Sequence, residues 1–296
     1  MSGRRRPSRV LKLVGELLPA ALGDVVIAAY HFHWGHGRWP RLRSPQTFSE
    51  KVVHRMLFDR RSWPARCADK YAVRDYVAER LGPEALTKLY HMTQEPSDIP
   101  FAALPQRFVV KPTHGSSWVR LVTDAARLDR AELVAECRAW LGQSYYALYR
   151  ERFYRSIVPR ILVEEFLDDG TGETPADYKF FVFDGKVGLV QVNTGRFGAH
   201  RRTLFDRDGR RLAATLEDVP ADPAARLPAR AAELVAAAER LGKGVDFVRV
   251  DLYDIGGRTV FGELTMPPLA GITAFEPPSF DVELGRLWTM PRRLRD

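Results

Sequence analysis

The stretch FVRVDLYDIGGRTVFGELT, residues 247–265, places two apolar runs around a Gly-Gly turn, and each run carries one carboxylate. Side chains two apart on a strand share a face, so Arg249 and Asp251 point together while Val248, Val250 and Leu252 point away. On the return run Phe261, Glu263 and Thr265 share a face, opposed by Val260, Gly262 and Leu264. Loop length decides what the two acids do. A three-residue loop, Ile255 to Gly257, sets Arg249 opposite Glu263 and makes Asp251 and Glu263 diagonal neighbours. A two-residue loop at Gly256-Gly257 throws them onto opposite faces. The register thus decides whether they form a site, and a Gly-ended three-residue loop is a common hairpin form. Carboxylates that converge on one face repel and lose hydration, so a cation must compensate. Arg249 is one candidate, leaving a simple ion pair; a divalent metal held by hard carboxylate oxygens is the other.

The surrounding chain is globular in composition: 296 residues, 45% hydrophobic and 28% charged, enough for one large or two small cores. A net charge of +8 points either to an anionic partner or to a solvated arginine-rich surface. Cys67 and Cys137 stand apart, without a CxxC pair or His cluster, which excludes a disulfide framework or structural zinc and fits a reducing cytoplasm. Near the start, Arg4, Arg5, Arg6 and Arg9 precede an apolar stretch that Glu16, Pro19 and Asp24 interrupt. No run reaches the ~18 apolar residues of a spanning helix. The stretch reads as an amphipathic helix on the protein's own core, with weak contact to an anionic membrane surface as the minor alternative.

The first hundred residues read as mainly helical. Ser49 is the expected N-cap region of one helix, and Tyr71, Tyr76, Val77 and Leu81 form the stripe of another that stops at Gly82. The Pro-punctuated segment 95–106 is the expected boundary. Three units follow: a helical region 1–100 and two α+β lobes, 101–166 and 167–296. RFVVKP and PRILVEEFLDD read as buried strands, a helix is expected over 129–142, and another over 228–242 closed by Gly242. DYKFFVFDGKVGLVQVN is a hairpin turning at Asp184-Gly185. Antiparallel hairpins mixed with helices give an α+β fold.

Lys111 lies inside an apolar strand, where an unpaired charge is costly. The small polar stretch after it, His114, Gly115, Ser116 and Ser117, can offer backbone N–H groups to phosphate oxygens, or be a plain loop. Glu164 and Glu165 end their strand ahead of Phe166 and Leu167, as solvated acids or as a hinge gripping a purine edge. Asp69, Lys70 and Arg74 read as a salt-bridged helix rather than a site.

Taken in order, SPQTFSEK, ADKYAVRDYV, RFVVKPTHGSS, PRILVEEFL, DYKFFVFDGKV, HRRTLFD and the opening stretch resemble the ATP-grasp superfamily, and within it the TupA-like family named for teichuronopeptide biosynthesis. The resemblance spans roughly residues 44 to 287. It implies an ATP-grasp fold, two lobes gripping ATP. It implies ATP phosphates on Lys111 under the loop His114 to Ser117, and adenine at Glu164, Glu165, Phe166 and Leu167. Asp177 and Lys179 would lie near ribose and phosphate, and Asp251, Glu263 and Thr265 would ligate Mg²⁺, with Thr265 where many relatives carry Asn. Among Arg196, His200, Arg201 and Arg202, the arginines Arg201 and Arg202 are the candidates for touching ATP or an acceptor carboxylate.

The implied activity is an ATP- and Mg²⁺-dependent carboxylate–amine ligase working through an acyl phosphate, in cell-surface polysaccharide synthesis, with an anionic polysaccharide among its expected partners. No protein nucleophile is needed, which suits a chain lacking a Cys/His or Ser/His signature. A phosphotransferase on the same fold and a non-catalytic nucleotide- or polyanion-binding homologue are the alternatives. Specific nucleic-acid binding is not expected, since no basic recognition helix is present. Two loops depart from the family pattern: HGSSW lacks a second glycine, and MPPLAG places Leu269 and Ala270 where a Gly-Ser-like turn is common.

Overall fold

In the computed structural model, which describes residues 18–170, 175–195, 200–217 and 219–296, two antiparallel sheets organise the chain. Strands β1 (Leu89–Thr93), β2 (Phe108–Pro112), β3 (Arg120–Val122) and β4 (Ile161–Glu165) form the first, in the order β1-β4-β2-β3. Strands β5 (Asp177–Phe183), β6 (Lys186–Thr194), β7 (Arg201–Phe205), β9 (Phe247–Ile255) and β10 (Arg258–Thr265) form the second, ordered β10-β9-β5-β6-β7. A short arm pairs β8 (Thr215–Leu216) with β11 (Phe275–Glu276). The helices are α1 (Ala20–His36), α2 (Phe48–Phe58), α3 (Ser62–Ala68), α4 (Val73–Leu81), α5 (Arg130–Leu141), α6 (Tyr145–Tyr149), α7 (Ala231–Gly242) and α8 (Pro278–Leu287). The α+β class is therefore as expected.

Each strand of the second sheet alternates between two faces, and the faces have different fates. Phe180, Val182, Val190, Val248, Val250 and Leu252 pack against Leu234, Ala238 and Leu241 of α7. Gly242 permits this approach, because a Cβ there would lie 2.4 Å from the Val182 side chain. On the opposite face Phe181, Phe183, Leu189 and Phe247 pack under Phe48 and Val52 of α2 and Trp288 beyond α8. Each fully buried aliphatic or aromatic side chain contributes about 1.5–3 kcal/mol. One step farther along the same face the residues turn polar, and the functional site begins there.

Helix α2 starts with a reciprocal cap. Thr47 Oγ1 accepts from Glu50 N–H at 3.2 Å, and Glu50 accepts from Thr47 N–H at 3.2 Å. The N-cap is thus Thr47, not Ser49, whose N–H and hydroxyl both donate to Asp281 of α8 at 2.9 Å. Tyr71 does not join the α4 stripe. It sits in the preceding turn, its N–H donating to Asp69 at 2.8 Å, and is 37% exposed, while Tyr76 and Val77 are buried. Gly82 ends α4 as expected, at φ 92°. The left-handed residue after α7 is Gly244 (φ 80°) rather than Gly242. The segment 95–106 connects two strands of one sheet, because β1 pairs with β4, which also pairs with β2. Strand β1, before that segment, thus belongs to the same sheet as β2 and β4.

Glu50 also accepts from Gln46 N–H (2.9 Å), Arg41 (3.0 Å) and Arg38 (2.5 Å). Burial would raise this carboxyl, but its donors win and hold it at about 2. A depressed acid stabilises the fold above its ordinary value of 4.5 and loses that contribution as pH falls toward about 2. Thermal melts across that range are expected to show a steep acid limb for the wild type and a shallower one, from a lower neutral-pH Tm, for Glu50→Gln.

Candidate functional site

Of the two loops open to the sequence, the hairpin takes the short one. Ile255 pairs with Arg258 around Gly256 (φ 56°) and Gly257 (φ 82°), whose left-handed backbone suits glycine. That turn alone would separate the acids. A β-bulge reverses the outcome: Phe261 pairs with Leu252, Gly262 is the extra residue, and Glu263 pairs directly with Asp251. A Cβ on Gly262 would meet the Tyr253 ring at 2.9 Å and the Asp251 carbonyl oxygen at 3.2 Å. The signal in the sequence was the glycine inside a strand.

Cations hold the pair. Arg249 grips Asp251 with Nε at 2.7 Å and Nη2 at 2.8 Å, and Lys179 bonds both Asp251 and Asp177, the latter at 2.6 Å. Arg249 Nη2 also donates to Thr265 Oγ1 at 2.8 Å, and Thr265 donates to Glu263 at 2.7 Å. Thr265 thus orients Glu263. Burial alone would raise Glu263, but Lys70 and Arg249 hold it below its ordinary value. Asp251 is likewise lowered against its burial, by Arg249 and Lys179. Behind them Glu151 is pushed up to about 8, by burial first and by the charge of Glu263 second. It is protonated at neutral pH and adds no third negative charge to the cluster.

Between the two sheets lies a cavity of about 360 Å³. Val109, Leu121, Phe166, Leu167 and Phe261 give it apolar walls, and Lys70, Lys111, Asp251 and Glu263 its polar end. Lys111 pairs with Glu164 at 2.5 Å, and Arg74 reaches the same carboxylate at 3.1 Å. Glu165 is bound by Arg258 from the second sheet at 2.7 Å, a tie across the rim. A second cavity of about 230 Å³ adjoins it, and Ser116, Ser117 and Glu263 line both. Its polar lining includes Lys179, Gln191, Asn193, His200, Arg202 and Arg249, and Phe48, Phe181 and Phe275 also line it.

Of the expected site residues, Lys111, Ser116, Ser117, Glu164, Glu165, Phe166, Leu167, Asp251 and Glu263 line the first cavity, while Lys179 and Arg202 line the second. His114 and Gly115 are not among the lining residues. His114 is buried with Nε2 bonded to the Trp140 carbonyl at 3.1 Å, and the Gly115 carbonyl accepts from Lys70. Both anchor the loop from behind. Asp177 acts through Lys179. Arg201 and Arg202 are adjacent on β7 and so cannot share a face. Arg202 is buried on Asn193 (3.3 Å) and Glu217 (2.6 Å), whereas Arg201 is exposed and reaches the Ala221 carbonyl at 3.4 Å. Arg196 lies outside the described residues. Lys70 and Arg74, read from the sequence as a helix salt bridge, instead serve the cleft: Lys70, in the turn before α4, lines the first cavity, and Arg74 of α4 reaches Glu164 at its edge. No local pattern marked them, nor Gln191, Asn193 or Glu151.

Both atypical loops keep a glycine-like backbone. Ser117 has φ 64°, Leu269 φ 52° and Ala270 φ 51°, all left-handed without being glycine.

Two lobes that close on a cleft carrying lysines and paired acids define an ATP-grasp fold. The chain matches the TupA-like ATPgrasp family over residues 50–289 and belongs to it. Among solved structures it is similar to the RimK domain ATP-grasp protein from Sphaerobacter thermophilus DSM 20745, at 16% identity and TM-score 0.46, covering 76% of this chain and 69% of that one. It is also similar to the ATP complex of D-alanine–D-alanine ligase from Bacillus anthracis, at 15% identity and TM-score 0.41, over 68% of this chain. The ATP-grasp ligase PsnB, complexed with a minimal precursor, matches at 14% identity and TM-score 0.42, over 69% of this chain. The chain spans about half the length of the two ligases, 54% of each. Comparison with curated proteins finds no significant match. Among the described residues no helix is long and apolar enough to cross a membrane.

Among the described residues no group of three or more His, Cys, Asp and Glu side chains is placed to hold a metal. The facing pair Asp251 and Glu263 supplies oxygen donors only, which suits a hard cation that completes its shell with phosphate and water.

Gly262→Ala is expected to disturb the bulge and turn Glu263 away from Asp251, weakening binding of an ATP analogue by at least about tenfold with a small change in Tm. Leu269→Gly is expected to relieve left-handed strain and stabilise the fold by about 1 kcal/mol in denaturant titration.

Proposed function

We propose that this chain is an ATP- and Mg²⁺-dependent carboxylate–amine ligase. The observation that carries the reading is the direct pairing of Asp251 with Glu263 at the junction of two cavities, one apolar-walled with lysines and one with buried Arg202 and Lys179. The larger cavity takes ATP, its base between Val109, Leu121, Phe166 and Phe261, its phosphates toward Lys70 and Lys111 under Ser116 and Ser117. Asp251 and Glu263 would hold Mg²⁺, which supplies charge neutralisation at the transferring phosphoryl group. The smaller cavity takes the acceptor acid, whose carboxylate meets Arg202 or Lys179.

In the first half-reaction a carboxylate oxygen attacks the γ-phosphorus, the β–γ bridging bond breaks, and ADP leaves. In the second, the amine attacks the acyl carbon, phosphate departs, and the ammonium proton is lost to solvent or a buffer base. This chain's residues bind, orient and screen charge; none becomes covalently attached. An anionic polymer of the cell surface, the acceptor suggested by the family's name, agrees with the net charge of +8. The retained left-handed backbone at Ser117, Leu269 and Ala270 supports a working site over a decayed one.

Calorimetric titration with a non-hydrolysable ATP analogue tests the reading. Wild type is expected to bind in a Mg²⁺-dependent manner, and Glu263→Gln to lose that dependence with about tenfold or more of the affinity. Absence of binding by the wild type would overturn it.

A further inference from the structure

Two side-chain amides line the second cavity from β6, two residues apart and so on one face: Gln191, 4% exposed, and Asn193, 5% exposed. Gln191 Nε2 donates to Asn193 Oδ1 at 3.1 Å, and Arg202 Nε donates to the same oxygen at 3.3 Å. These bonds leave the pair Gln191 Oε1 as an acceptor and Asn193 Nδ2 as a donor. One acceptor beside one donor is the complement of a peptide group, which offers an N–H and a C=O. A ligand that displaces water from this wall must replace the water's hydrogen bonds, and a peptide group does so. The cations for a carboxylate stand in the adjacent strands, Lys179 opposite Gln191 and Arg202 opposite Asn193. A carboxylate and a peptide group are neighbours in the same way on the last residue of an acylated amino acid.

The charges of the lining set the ionic form of the ligand. Lys179 bonds Asp177 and Asp251, Arg249 bonds Asp251, and Arg202 bonds Glu217. Each ammonium and guanidinium group thus already faces a carboxylate, and no surplus remains to hold a dianion. Among the described residues the one carboxylate that lines the cavity is Glu263, which accepts from Thr265 at 2.7 Å and pairs with Asp251. In the ligase reading it holds Mg²⁺, so a free ammonium on the ligand meets no carboxylate and is costly to bury. The remaining lining is apolar: Phe48, Phe181, Leu216, Leu269 and Phe275. A volume of about 230 Å³ equals roughly eight waters of the liquid, room for one residue and not for a polymer segment.

We propose that the unit entering this cavity is an N-acylated amino acid with an apolar side chain, free or as the last residue of a peptide. Its carboxylate meets Arg202 or Lys179, its peptide group meets Gln191 Oε1 and Asn193 Nδ2, and its side chain packs among Phe48, Leu216, Leu269 and Phe275. The inference rests on the ligase reading, in which this carboxylate is the one phosphorylated. It concerns the unit at the site, whatever chain that unit ends.

The test is calorimetric titration of the full chain with N-acetyl-leucine, with Mg²⁺ and a non-hydrolysable ATP analogue present, the analogue's own binding being measured first. Wild type is expected to bind N-acetyl-leucine about tenfold or more tightly than leucine, 4-methylpentanoate, N-acetylglutamate or glucuronate. These competitors add an ammonium, remove the peptide group, add a second charge, or replace the residue by a sugar acid. Affinity for N-acetylalanyl-leucine equal to that for N-acetyl-leucine marks a peptide end as the source, and its exclusion marks a free acylated amino acid. Asn193→Leu is expected to erase the preference over 4-methylpentanoate, a ratio that a loss of packing alone would leave in place. Should that variant misfold, Leu269→Ala decides, by narrowing the preference for N-acetyl-leucine over N-acetylglycine by about tenfold. Failure to bind N-acetyl-leucine, a competitor bound as tightly, or variants that keep the wild-type ratios would sink the proposal, and ATP-analogue binding would leave the ligase reading standing. Conversely, the acid preference without ATP-analogue binding would sink the ligase reading and keep the acid site.

Discussion

A single extra residue, Gly262, determines where Glu263 points, and the site depends on that direction. Strand side chains alternate, so a two-residue hairpin loop with perfect register would place Glu263 among Val248, Val250 and Leu252, in the α7 core. The bulge exchanges that burial for a carboxylate opposite Asp251. Two facing acids are then stable only because Arg249 and Lys179 stand on the same face, each within one strand of them. The charge network and the register are one constraint: moving either empties the site of its geometry.

The same sheet face serves two purposes along its length. Phe181, Phe183 and Phe247 close a dry core under Phe48 and Trp288, and the next rows carry Lys179, Gln191, Asn193 and Arg202. Rigid aromatic packing beside the polar rows fixes the side chains that would receive substrate, as preorganised sites require. The first sheet contributes the opposing wall through Val109, Lys111 and Leu121, and Glu165 and Arg258 tie the two together.

Much of this could be read before any fold was known. The hairpin at Asp184-Gly185, the α5 helix, and the strands carrying Lys111 and Glu164 are local features with local causes, and the sequence predicts each of them. Errors came where two local signals competed. Thr47 and Ser49 are both capping residues, and the Glu three places after Thr47 decided between them. Tyr71 fits a helical period, yet Asp69 draws its N–H into a turn. Arg201 and Arg202 looked like one cluster until strand alternation separated them.

The sequence by itself determined which residues are chemically capable: the acids of residues 247–265, Lys111, the glutamates of VEEFL and the arginines of HRRTLFD. It also determined the family, because seven ordered motifs are read along the chain. Only the tertiary structure decided which of those groups meet. Lys70 and Arg74 lie about ninety residues or more from the Glu164 they surround, and Glu151 about a hundred from Glu263, so no periodicity relates them. Their proximity arises from how α4 and the segment after α6 pack onto the neighbouring helices, α4 on α7 and the segment on α2 and α3. That packing is set by buried area summed over many residues, a quantity that no short window of sequence contains.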